Sequence, residues 1–138
     1  DDNACGGVVT YCVAAPNSLI PAGATLGFTG STSIVANDLA MFASAMPSNG
    51  FAIWLGATDQ TQTPLGDGFL CVTGSPIVRY AIVQSDVLGV NYLNFDQNTV
   101  PSGSLIQAGD TRNFQAWYRD SIGVGFNLTN ALSVTFCP

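Results

Sequence analysis

Apolar and polar residues in this chain alternate with a period of two over short windows, and Gly, Pro, Asn and Asp separate the windows. VVTYCV (8 to 13), ATLGFT (24 to 29), FAIWLG (51 to 56), GFLCVT (68 to 73), IVRYAIVQ (77 to 84), LGVNYLNF (88 to 95), RNFQAWYR (112 to 119) and ALSVTFC (131 to 137) are rich in β-branched and aromatic residues and predict strands. Segments 32 to 36 and 38 to 44 join them. Helical spacing occurs only around Asn37 to Ala45, where Asn or Asp would cap DLAMFASA. Loops are expected at 14 to 23, 45 to 50, 57 to 67 and 96 to 111, all polar or rich in Pro and Gly. No fixed-period repeat or low-complexity tract is present. Many short strands between turns predict an all-β fold, a disulfide-stapled antiparallel β-sandwich of jelly-roll or Ig-like type, over residues 11 to 138. Residues 1 to 10, DDNACGGVVT, form an N-terminal arm ahead of it.

The densest aromatic segment also holds two of the three cations. In a strand over 112 to 119, Phe114, Ala116 and Tyr118 share one face and predict core. Asn113, Gln115, Trp117 and Arg119 share the other, which meets solvent or a partner. FAIWLG divides in the same way, with Phe51, Ile53 and Leu55 opposite Ala52 and Trp54. Asp110 and Asp120 sit in the turns that bracket the arginine-bearing strand, so its charges are explained without chemistry.

At 138 residues the chain is one domain, large enough to bury about two-thirds of its unfolded surface. Charged residues make up only 9% of it, and Lys, Glu and His are absent. No imidazole is available as a base or metal ligand, and no amine for a Schiff base or a phosphate loop. A net charge of −6 opposes nucleic-acid binding, which needs cations to displace counterions. A mean hydropathy of +0.32 fits either apolar surface covered by neighbouring subunits or a simple abundance of small residues. No run of 18 apolar residues exists, so no membrane-inserted helix is expected. The start at Asp1 suggests a mature product after removal of a signal peptide. Cys5, Cys12, Cys71 and Cys137 then read as two disulfides formed in an oxidising, extracellular compartment.

YCVAAPNS (11 to 18), GSTSIVANDL (30 to 39), PLGDGFLCV (64 to 72), AGDTRNFQAWYRD (108 to 120) and GFNLTNALSVTFCP (125 to 138) resemble a domain found near the C-terminus of large secreted bacterial proteins, best known from planctomycetes. The usual pattern of that family runs YC-x-AAPNS, PFGNGFRCV, TWNFQFWYRD and GFNLSDGLSVTFCP. The resemblance spans residues 11 to 138 and implies an extracellular, β-rich bacterial domain with no established activity. Arg112 stands where a Trp is common and Leu70 where an Arg is common, and Cys5 lies in an arm outside the pattern.

Cys12 in the first strand and Cys137 near the end suggest a bridge joining the termini, which leaves Cys5 to Cys71 or to a neighbouring subunit. Asp59 and Asp67 share TDQTQTPLGDG, which offers a carboxylate pair for glycoside hydrolysis or a structural calcium; plain Asx turns are the simpler reading. No catalytic residue and no cofactor is expected. Trp117, Gln115, Arg119 and Trp54 are the candidate binding or interface residues, because a flat ring beside amide and guanidinium donors serves both sugars and proteins. Tyr92 and Tyr118 are further candidate rings. Asn127-Leu-Thr129 is a glycosylation sequon, but the reading as an asparagine-rich turn takes precedence. The expected function is an extracellular structural subunit that self-associates into a filament or matrix, with the arm adding a strand to a neighbour. A carbohydrate-binding or adhesion module that holds polysaccharide is the alternative.

Overall fold

The computed structural model describes residues 6–100 and 105–138. Ten strands follow in order: β1 (Gly7–Tyr11), β2 (Thr25–Thr29), β3 (Ala40–Ser44), β4 (Phe51–Ala57), β5 (Asp59–Leu65), β6 (Gly68–Thr73), β7 (Val78–Gln84), β8 (Asn91–Asn94), β9 (Thr111–Arg119) and β10 (Phe126–Thr135). A five-stranded sheet, β1-β10-β9-β4-β7, packs one face on a three-stranded sheet, β2-β3-β8, while the β5-β6 hairpin lies on part of its other face. All ladders are antiparallel. The molecule is a disulfide-stapled β-sandwich.

Alternation sets the core as expected for β9: Phe114, Ala116 and Tyr118 are buried between the two main sheets. The register of β4 on β9 places Ala52 opposite Tyr118 and Trp54 opposite Ala116, so Trp54 enters the same core. Phe95 links Tyr80, Phe114 and Phe136 in a ring cluster with centroids 5.5 to 5.7 Å apart. A second, smaller core of Leu55, Ala57 and Val72 lies under the hairpin.

Three sequence expectations change. The expected loop 57 to 67 contains β5, a polar strand whose side chains are mostly exposed. Its lack of apolar residues hid it, and its partner β6 supplies the apolar half of the hairpin. Residues 32 to 36, expected as strand, form a turn apart from an isolated bridge of Ser33 with Cys137, whereas 40 to 44 form the strand expected over 38 to 44, Met41 and Ala43 alternating into the core. Within the N-terminal arm, residues 7 to 10 belong to β1 and pair with β10, Gly7 facing Thr135 and Tyr11 facing Ala131. Residues 1 to 5 lie outside the described residues.

That register also overturns the Cys12–Cys137 bridge. The two cysteines fall at opposite ends of the β1/β10 ladder, roughly 20 Å apart at strand rise. Cys12 instead bonds Cys71 in β6, with Cα atoms 6.3 Å apart and 59 residues between them in sequence. Cys137 is disulfide-bonded as well, and Cys5 lies outside the described residues. Closing so long a loop removes unfolded-chain entropy corresponding to about 4 kcal/mol. The bridge pins the hairpin to the end of β1.

Buried amides tie the layers. Gln115 accepts from the Cys71 N–H at 2.8 Å and donates to the carbonyls of Phe69 and Thr129 at 2.8 and 2.7 Å. The Trp54 indole donates to Asn91 of β8 at 2.8 Å, and Asn91 donates to the Val83 carbonyl at 2.8 Å. Asn130, at an irregularity in β10, accepts from the Leu26 N–H of β2 at 2.8 Å. These bonds do in an almost charge-free interior what ion pairs do elsewhere, at lower desolvation cost.

Candidate functional site

Strand direction gathers five connections at one end of the sandwich: 12 to 24, 45 to 50, the β5-β6 turn, 85 to 90 and 120 to 125. Asp and Asn side chains bind them to one another. Asn17 donates to the Ala45 carbonyl at 2.8 Å and to the Tyr118 hydroxyl at 3.0 Å. Asp120 accepts from the Ser18 N–H at 3.0 Å and from its hydroxyl. Asp67 accepts from the Val124 N–H at 3.1 Å. Asp86 accepts from the Leu88 and Val90 N–H groups at 2.9 and 3.0 Å. With three carboxylates spent on backbone donors, the tips present Leu19, Ile20, Val87, Leu88, Ile122 and Val124, all exposed.

Beside these tips, on the face of the large sheet that the hairpin leaves open, lies a cleft of about 440 Å³. Phe51, Ile53, Ile82, Trp117, Arg119 and Phe126 line it. Trp117 meets Phe126 edge to face at 5.4 Å and also packs against the small core of Leu55, Ala57 and Val72, so the indole stands between the covered and open halves of the sheet. Phe51 is 53% and Ile82 70% exposed, which is unusual for side chains of this size arranged contiguously. Among the described residues the Arg119 guanidinium makes no ion pair, and it is the cation of the cleft.

Of the four residues chosen from the sequence, Trp117 and Arg119 come together here. Gln115 and Trp54 do not: both are fully buried and hydrogen-bonded inside the fold. Gln115 shares a strand face with Trp117, but the hairpin side covers that face fully at Gln115 and only in part at Trp117. Tyr118 is buried, and burial raises its phenol pKa above the ordinary value. Phe51, Ile53, Ile82 and Phe126 were missed as site residues, since Phe51 and Ile53 have the alternation of core residues. The signal available was the excess of apolar faces: Ala52 and Trp54 alone suffice for the core side of β4.

Asp59 and Asp67 stand at opposite ends of β5, about 23 Å apart at strand rise, so they form neither a catalytic pair nor one ion site. Asp59 accepts from Thr58 at 2.9 Å. Among the described residues no group of three metal-ligating side chains occurs. Asn127 of the sequon is fully buried and donates to the carbonyls of Ala15 and Pro16 at 3.3 and 3.0 Å, so the folded chain presents no glycan acceptor there. No helix of the described residues is long and apolar enough to cross a membrane. Compared with known proteins, the chain matches no protein-family model and no curated protein.

Proposed function

We propose that this chain is an extracellular structural protein that works by contact rather than turnover, and that its loop end is the contact surface, met by a second copy of the chain. The observation that carries this is the coincidence, at one end of the molecule, of six aliphatic tips held rigid by inward-turned carboxylates and an aromatic cleft beside them. Tips and cleft on one molecule are self-complementary across a two-fold axis, each copy's tips entering the other's cleft. A standard interface takes about 800 Å² per partner, roughly an eighth of the 6706 Å² surface, and one end of a sandwich is of that order. With Asp120 buried and Asp67 half-buried, Asp86 and Arg119 are the exposed charges at this end, which suits a partner surface equally poor in charge. Strand donation by the N-terminal arm is the less direct route, because residues from Gly7 onward already pair with β10 and that ladder would have to open.

Light scattering across a concentration series tests the proposal. The native chain should associate, while Ile82→Asp and Val124→Asp, both at exposed positions, should each shift the midpoint at least tenfold upward without changing Tm. A native chain that stays monomeric at high micromolar concentration would reject it, as would variants that associate unchanged.

A further inference from the structure

We propose that the outer face of the three-stranded sheet β2-β3-β8 is a binding platform for a single, uncharged polysaccharide chain. This reading is independent of the loop end and uses none of its residues. Register places Gly27, Phe42 and Tyr92 side by side across the three strands, on the face turned away from the core. The Phe42 ring lies over Gly27: a Cβ there would sit 2.5 Å from the ring edge. Glycine inside a strand marks a position where something must approach the backbone closely, and here it lets the ring lie low on the sheet. Covering an edge-strand glycine accounts for Phe42 in structural terms. It does not account for Tyr92, which is 52% exposed and 6.2 Å from Phe42, centroid to centroid.

The surroundings decide the class of ligand. Thr25 and Ser44 pair on one side of the aromatic row, and Thr29, Ala40 and Asn94 align on the other. Alternation puts all of them on the same face as the rings. Among the described residues their polar side chains and the Tyr92 hydroxyl make no hydrogen bond, whereas the buried amides of Asn17, Asn91 and Gln115 are all paired. No Asp or Arg lies in these three strands. Rings flanked by free hydroxyls and an amide, without a charge, match a ligand with apolar ring faces and a hydroxyl periphery. A phosphorylated or carboxylated partner would find no cation. The two rings are inclined at 47°, so they cannot both lie flat on one crystalline polysaccharide surface. They fit successive residues of one chain that turns as it crosses the strands, and their spacing is close to one pyranose repeat.

Affinity electrophoresis in gels containing hydroxyethylcellulose, xylan, galactomannan or alginate, with calorimetry on cellohexaose and xylohexaose, tests the assignment. At least one neutral polymer should retard the native chain. Tyr92→Ala should weaken binding at least tenfold and Asn94→Ala several-fold, each at unchanged Tm, while Trp117→Ala in the cleft should bind as the native chain does. Gly27→Val, which lifts the Phe42 ring, should weaken binding in the same sense. The proposal fails if no neutral polymer retards the native chain, if alginate alone does, or if Tyr92→Ala binds normally. It also fails if Tyr92→Ala changes the association state instead, since the face would then be a protein interface. Loss of association in the cleft variants with glycan binding retained would leave this platform standing and remove only the loop-end reading.

Discussion

Replacing Gln115 by Leu keeps the volume of the side chain and removes its bonds, which makes it the sharpest probe of how the hairpin is held. Gln115 is fully buried and bridges three backbone groups, the Cys71 N–H and the Phe69 and Thr129 carbonyls, at 2.7 to 2.8 Å. Leaving the Cys71 donor buried without an acceptor costs about 1 to 3 kcal/mol, and each lost bond to a carbonyl about 0.5 to 1.5 kcal/mol. Burying apolar atoms in place of the amide returns about 2 kcal/mol. The net expectation for Gln115→Leu, taken at the middle of these ranges, is a loss of about 2 kcal/mol, a sizeable part of the 5 to 15 kcal/mol typical of a domain. Gln115→Ala adds a cavity to the same lost bonds and should be worse by about 1 to 2 kcal/mol. Guanidinium unfolding of the oxidised chain measures both, with an unchanged denaturant slope as the check that the end states are the same. Amide exchange at Cys71 should speed up in both variants. If Gln115→Leu loses less than about 0.5 kcal/mol, or if Ala is the milder of the two, the amide is not a clamp and the hairpin is held by the Cys12–Cys71 bond and apolar contact alone.

Two further outcomes follow from the same structure. Replacing Cys12 and Cys71 together by Ser should lower stability by about 4 kcal/mol and should aggravate Gln115→Leu by more than the sum of the separate losses, because both hold one hairpin; strict additivity in the double-mutant cycle would refute the shared role. Burial raises the phenol pKa of Tyr11, Tyr80 and Tyr118, so the folded chain keeps these protons to higher pH than the unfolded chain. The contribution is complete below the ordinary phenol value near 10 and is lost as pH rises through the folded values, so unfolding midpoints should hold from pH 7 to 9 and fall from pH 10 upward, less steeply in Tyr80→Phe. A midpoint that is flat to pH 12 would contradict it.

What the sequence disclosed and what it hid divide along one physical line. Alternation within β9 predicted that Phe114, Ala116 and Tyr118 are core, because one buried face is enough to specify that side. It could not say what covers the opposite face, and there Gln115 is sealed by the hairpin while Trp117, two residues on, reaches the cleft. The hairpin was the hidden element: β5 reads as a polar loop, since only its partner and the large sheet give it a reason to be extended. Cysteine pairing was illegible for a related reason. It depends on which ends of β1 and β10 lie together, and the antiparallel register that separates Cys12 from Cys137 is a long-range fact. The Phe42 and Tyr92 row likewise appears only once Gly27, Phe42 and Tyr92, drawn from three distant segments, are aligned.

An interior bonded by amides rather than ions should respond to salt in an unusual way. Among the described residues the ion pair is Arg112 with Asp110 at 3.7 Å, between partly exposed side chains, and such a pair contributes about 0 to 1 kcal/mol. Against it stands the mutual repulsion of a chain carrying −6 overall. Raising ionic strength from 0.01 to 0.15 M shortens the screening length from about 30 to about 8 Å, which weakens repulsion between carboxylates scattered over the whole surface more than it weakens one contact pair. Tm should therefore rise slightly with added sodium chloride, by up to about 2 °C, and the rise should persist in Arg112→Gln. A fall in Tm over that range would mean that attractive ionic contacts outweigh the repulsion, and the account of the fold as one held by hydrogen-bonded amides, apolar packing and covalent bonds would have to give way.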